Sequence, residues 1–362
     1  MIICFDCLDE KKRELDRLIA EGKYRDYSEF ISLAIANQLL LHSQIGAASG
    51  FVIQSAIQNE QVSGGRQPSS KESVETRGGI APTSGQRTVI DQFRVPDTSI
   101  KRPPFAGFSD DVFRKGETVP PERWIFGQFN RLLPAKASCR ALANMLLEES
   151  EGVELNAASV EIARSARLLG MELERRDIER GVDRDDQLAI AFPLAASAEK
   201  GISRFANQFV GNVSNRGQLS GLLVSLKLIG RTKGNRKGVV SLTEAGWNFA
   251  LLKNPCIDSQ GVKKFSAEER EFLCGHIGEN VPQEVSAYTR IVQLANSGGD
   301  TPKKLDKVLQ KFVSPSFEAS ASFIATQRSG VISRMTDLGL IGRERDGTRV
   351  RYVVTEYGKA FA

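Results

Sequence analysis

The chain has 362 residues, Lys+Arg 49 against Asp+Glu 44, a formal net charge of +5 and two His. At roughly 100–200 residues per domain this predicts two or three domains, and 41% hydrophobic residues give them ordinary cores. Apolar runs fall short of the ~18 residues that span a membrane. The first residues turn acidic too early for a signal peptide, and five Cys, an odd number, make no disulfide framework. The expectation is a cytoplasmic protein without membrane contact.

Residues 1–42 alternate charge and apolar character. Ile3, Phe5 and Cys7 alternate with Ile2, Cys4 and Asp6, as a short strand would. Residues 9–20 read as a helix with Leu15, Leu18 and Ile19 on one face, stopped at Gly22. Asp26 and Glu29 form a capping box that opens a second helix with Phe30, Ile31, Ala34, Ile35 and Leu39 on its apolar face. Such a unit is too small to be stable alone and must pair with something.

The strand, the LDEKKRELDRLIAEGKY stretch and the following DYSEFISLAI resemble the ribbon-helix-helix family. The resemblance implies a homodimer through residues 1–42, with Ile3, Phe5, Phe30, Ile31 and Ile35 in the shared core. In that family the paired ribbon enters the major groove. Here the outward residues would be Ile2, Cys4 and Asp6, which are not the Arg, Lys, Asn or Gln that read base edges. The module therefore reads as a dimeriser first.

Residues 43–104 are rich in Ser, Gly, Gln and Pro and poor in aromatics, and read as a flexible linker. Helical periodicity resumes near Pro121. Trp124, Phe129, Leu132 and Leu133 form one apolar face before Pro134. Ala141, Met145 and Leu146 form another, and Ile162, Ala166, Leu169 and Leu173 a third that ends at Gly181.

An internal repeat follows. Residues 226–250 (LKLIGRTKGNRKGVVSLTEAGWNFA) align without gaps with 338–362 (LGLIGRERDGTRVRYVVTEYGKAFA) at an offset of 112, with ten identities in 25. Extended backwards, the alignment sets Arg216 over Arg328. Each copy reads as a helix, a turn and a hairpin. In the first, Leu219, Leu222, Leu223 and Leu226 recur at helical spacing, and the tip falls at residues 233–238. In the second, Val331, Met335 and Leu338 mark the helix, and Asp346-Gly347 is the tip.

The pattern resembles the winged helix-turn-helix family, with upstream helices at 202–210 and 319–324 completing each domain. The resemblance implies a recognition helix in the major groove and a wing on the backbone. Asn215, Arg216 and Gln218, and Gln327 and Arg328, would start the two recognition helices and read base edges. Arg231, Lys233, Arg236 and Lys237 in the first wing, and Arg343, Arg345, Arg349 and Arg351 in the second, would meet phosphates. Residues 226–238 carry five basic side chains and no acid.

Catalytic chemistry lacks candidates. Cys4 and Cys7, three apart in a strand, face opposite ways and cannot share a metal. Cys274 and His276 have no further ligands near them in sequence. Walker, G-x-S-x-G and H-E-x-x-H motifs are missing. Arg interleaves with the acids of residues 172–186, as on a solvated helix.

The expected architecture is mainly α with small β. It comprises a ribbon-helix-helix at 1–42, a linker at 43–104, a helical region with the first winged helix at 105–265, and a second winged helix at 266–362. The expected function is non-enzymatic and cofactor-free: a nucleoid-associated homodimer binding double-stranded DNA. Its output would be transcription regulation, or replication or partition of a plasmid or mobile element. The alternative is an adaptor whose winged helices bind a further protein partner.

Overall fold

The computed structural model describes residues 13, 16, 17, 19–21, 27, 92–107, 113–149, 151–194, 197–232, 238–347 and 349–361. The chain divides into two compact units, one of Met1–Gly78 with Ser214–Arg216, the other of Gly79–Val213 with Gly217–Ala362. In the first, Arg13, Asp16, Arg17, Ile19 and Ala20 are helical, and Arg17 pairs with Glu21 one turn on at 3.7 Å. Ile3, Phe5, Phe30, Ile31 and Ile35, expected at a dimer core, lie outside the described residues.

The second unit is mainly helical with small sheets. A 3-10 turn at Pro121–Arg123 precedes α1 (Leu133–Glu148), whose Pro134 occupies the first helical turn, where its missing N–H costs nothing. Then come β1 (Val153–Glu154) and α2 (Leu155–Arg180). The Glu154 carboxylate caps α2 by accepting from the Asn156 and Ala157 amides at 3.2 and 2.7 Å. Gly181, at φ 59°, ends it as expected. Ile162, Ala166, Leu169 and Leu173 are buried along α2 as the spacing predicts.

Next in the chain are α3 (Ala198–Phe205), running on as a π-helix through Ala206–Val210, β2 (Asn212–Val213), β3 (Leu219–Ser220) and α4 (Leu222–Ser225). The first repeat hairpin is β4 (Ile229–Arg231) and β5 (Val239–Leu242), followed by α5 (Glu244–Leu251) and α6 (Pro255–Asp258). β1 closes the sheet in the antiparallel order β1-β5-β4. Four helices follow, α7 (Ala267–Asn280), α8 (Pro282–Asn296), α9 (Pro302–Leu309) and α10 (Ala321–Asp337). The second hairpin, β6 (Ile341–Asp346) and β7 (Arg349–Val354), ends in a 3-10 turn at Tyr357–Phe361.

The repeat is a structural fact in its C-terminal two-thirds. Ile229 pairs with Leu242 and Arg231 with Val240; exactly 112 residues later, Ile341 pairs with Val354 and Arg343 with Tyr352. Thr243 Oγ1 donates to Lys227 O at 2.9 Å and accepts from Gly246 N at 3.1 Å. Thr355 Oγ1 repeats both bonds, to Gly339 O at 2.7 Å and from Gly358 N at 3.0 Å. Gly246 and Gly358 answer one steric demand, since a Cβ on either would stand 2.0 Å from the carbonyl oxygen of Leu228 or Leu340. The shared T-E-x-G motif is thus a cap that ties the returning strand to the turn before the hairpin.

Two expectations about boundaries are corrected. Residues 92–104, assigned to the linker, belong to the folded unit. Phe93 is fully buried, its carbonyl accepts from Arg140 at 3.1 Å, and Asn144 donates to Gln92 O and Arg94 O. The division at 265/266 does not separate two units either. Lys136 on α1 pairs with Glu269 on α7 at 3.0 Å, both fully buried, and Arg131 pairs with Asp337 on α10 at 3.3 Å. Burial lowers the Lys136 ammonium to about 8, against the opposing pull of Glu269.

Candidate nucleic-acid interface

The residues expected to start the first recognition helix do not lie on a helix. Asn215, Arg216 and Gln218 fall in the exposed turn between β2 and β3, and Leu219 pairs with Val213 in that hairpin. Glycine is the cause. Gly217 and Gly221 adopt φ of +83° and +118°, and a Cβ on Gly221 would stand 2.5 Å from Gly211 Cα. A helix cannot pass through such points. Only Leu222–Ser225 makes a helical turn. Arg231 turns back to donate to Gly217 O, so it braces this hairpin from β4. Lys233, Arg236 and Lys237 lie outside the described residues.

The second expected recognition helix exists as α10, but it is a core element. Gln327, expected to read a base, is 1% exposed. It donates to Pro121 O at 2.8 Å and accepts from Gly127 N. A Cβ on Gly330 would lie 2.2 Å from Gly127 O, so residues 121–132 press directly on the helix. Arg334, fully buried, donates to Glu284 at 2.9 Å and to Phe129 O at 2.7 Å. Arg328 is bound to Asp306 at 2.6 Å and to the Tyr352 hydroxyl at 3.1 Å. Gln327 and Arg328 thus hold α10 in place, their side chains engaged within the fold.

The second hairpin is likewise neutralised. Arg343 pairs with Asp185 at 2.9 Å and donates to Ser333 at 3.0 Å, and Arg345 reaches the same Asp185. Burial works to raise the Asp185 carboxyl, yet the Arg345 hydrogen bond and the two guanidinium charges hold it below the usual carboxylate range. Arg351 pairs with Asp300 at 2.6 Å, and Arg349 stands exposed across the strand from Asp346. Three of these four arginines are therefore spent on carboxylates.

What the sequence reading passed over is α3, taken only as an upstream helix. Lys200, Ser203, Arg204 and Asn207 are exposed at helical spacing along one face. The opposite face carries Phe205, Phe209 and Val210, all buried. Phe205 lies between Phe192 and Phe209, with ring centroids at 5.8 and 5.3 Å, which anchors the helix rigidly. The π turn closes with Gly211 N donating to Ala206 O at 2.8 Å. Gln208 beside the row donates to Gln128 at 2.8 Å. The signal was legible: four polar residues at i, i+3, i+4 and i+7 opposite an aromatic stripe.

Among the described residues, no group of three or more His, Cys, Asp or Glu is placed to hold a metal ion. Burial pushes the thiols of Cys139 and Cys256 up to about 12, and that of Cys274 to about 11, so none is a thiolate at neutral pH. His276 is bound to Leu226 O at 2.8 Å and to Asn280, and supports the turn before β4. No helix among the described residues is long and apolar enough to cross a membrane. Compared with protein-family models, curated proteins and solved structures, the chain matches none.

Proposed function

We propose that the chain is a non-enzymatic, sequence-specific binder of double-stranded DNA, dimeric through residues 1–42, with two winged-helix modules of unequal role. The order helix, edge strand, helices and hairpin, with the sheet order β1-β5-β4, supports the winged-helix reading of the first module. The observation that carries the function is the row Lys200, Ser203 and Arg204 on α3 with Asn207 on its π-helical continuation. These side-chain types contact phosphates and base edges, and a rigid helix presents them together. Lys233, Arg236 and Lys237, the basic residues between β4 and β5, would then supply phosphate contacts. The second module, with α10 packed into the core and three of its four hairpin arginines on carboxylates, serves as scaffold.

Selection of bound sequences from random duplex DNA tests this directly. Recovery of a consensus whose affinity falls steeply with salt supports the reading. Failure to bind any duplex at low salt overturns it. The output would be transcription regulation, or replication or partition of a plasmid or mobile element.

One observation favours the adaptor reading as a second. Val160, Leu168, Met171 and Ile178 lie exposed along α2, Ile178 at 75%. Such an apolar row on a 26-residue helix is a surface for protein contact.

A further inference from the structure

The repeat lets one copy show what the other lacks. In the first copy the outer face of the hairpin is covered by an extended stretch, residues 103–107. Gly107 bridges Arg231 antiparallel on the free edge of β4, and Ala106 N donates to Leu242 O at 2.9 Å. Ser241, 1% exposed, donates to Pro104 O at 3.4 Å. Gly230 makes this possible, because a Cβ there would stand 2.1 Å from Gly107 O.

In the second copy no described segment covers the corresponding surface. Gly342 stands where Gly230 does, and a Cβ on it would meet only its own hairpin, Val353 O at 3.8 Å. No described segment bridges the outer edge of β6. Val353 and Tyr357, at the positions of Ser241 and Ala245, are 37% and 44% exposed. A β-branched side chain and a tyrosine thus flank a glycine whose first-copy counterpart exists to admit a passing carbonyl.

We propose that the outer face of β6–β7 is a docking site for an extended peptide segment from a protein partner. The occupant is a strand of the chemistry seen at residues 103–107: prolines, an aromatic or aliphatic residue, then two small residues. It would pair antiparallel with the β6 edge at Arg343, set a carbonyl over Gly342, and cover Val353 and Tyr357. Main-chain hydrogen bonds supply affinity, and Gly342 supplies selection for close backbone approach. Such docking requires only the two hairpins and is independent of nucleic-acid binding.

The probe is a fluorescein-labelled peptide of residues 101–107 (KRPPFAG), titrated with the full-length chain and followed by anisotropy. Saturable binding is expected, with affinity lowered about tenfold or more in Gly342→Leu. That substitution fills open space, so an unchanged circular dichroism spectrum accompanies it; Val353→Glu is the second variant, expected to weaken binding as well. Absence of binding overturns the proposal. So does binding that both variants leave unchanged, because the peptide would then be exchanging onto the first hairpin.

Discussion

The two repeat copies share a hairpin and differ in what feeds it. Val153 and Asp300 stand equivalently beside the returning strand, the first pairing with Val240 and the second accepting from Tyr352 N at 2.7 Å. From there the chain needs 76 residues to reach Ile229 in the first copy and 41 to reach Ile341 in the second. The extra residues in the first copy build the long α2, the loop behind it and the β2–β3 hairpin. They leave α3 with a polar, exposed row. In the second copy the shorter path delivers α10 straight into the turn, and residues 121–132 close over it. A local motif therefore dictates the turn, the register and the cap, while what stands before them differs: the β2–β3 hairpin and the short α4 in the first copy, the long buried α10 in the second.

The largest expected effect separates the two helices. Arg334→Ala leaves Glu284 buried without its partner and should cost about 3–5 kcal/mol in urea unfolding. Arg204→Ala on α3 should leave stability within about 0.5 kcal/mol, yet weaken DNA binding; equal effects of both on stability would mean that the two helices do not differ in this way. Next in size are the shared glycines. Gly246→Ala and Gly358→Ala should each destabilise by about 1–3 kcal/mol, because the Cβ must displace a carbonyl. A tolerated alanine in one copy alone would show that the cap is not equivalent. Thr243→Ala and Thr355→Ala should each lose ~1 kcal/mol as capping residues, measured by thermal melts.

The smallest effect is one of pH and touches the first copy alone. Burial is the main cause that holds His276 below its ordinary value, despite the bond to Leu226 O. The unfolded chain then takes up a proton that the folded one resists, so stability is complete above the ordinary histidine pKa of ~6.5 and falls as pH drops below it. His276→Gln should flatten that part of the stability–pH curve. An unaltered slope would remove His276 as its source.

Legibility in the sequence followed the range of the interactions. The repeat, the tip at Asp346-Gly347, the end of α2 at Gly181 and the apolar faces of α1 and α2 are written in near neighbours. The burial of Gln327 depends on Gly127, 200 residues away, and no local pattern records it. The helix expected through Leu219 failed because Gly217 and Gly221 adopt positive φ, a requirement visible as two glycines but outweighed by the leucine spacing. The arginines of the second hairpin looked free because their partners, Asp185 and Asp300, come from distant or preceding segments.

The turn before each hairpin passes through a left-handed residue. In the second copy it is Gly339, at φ 75°; in the first it is Lys227, at φ 55°. A side chain in that conformation costs roughly 1 kcal/mol that glycine avoids. The first copy has thus forgone conformational ease at the very base of its basic hairpin and gained a cation there. Restoring the glycine, Lys227→Gly, should make the fold sturdier and the hairpin less basic at once, so a chain selected for endurance alone would discard this lysine.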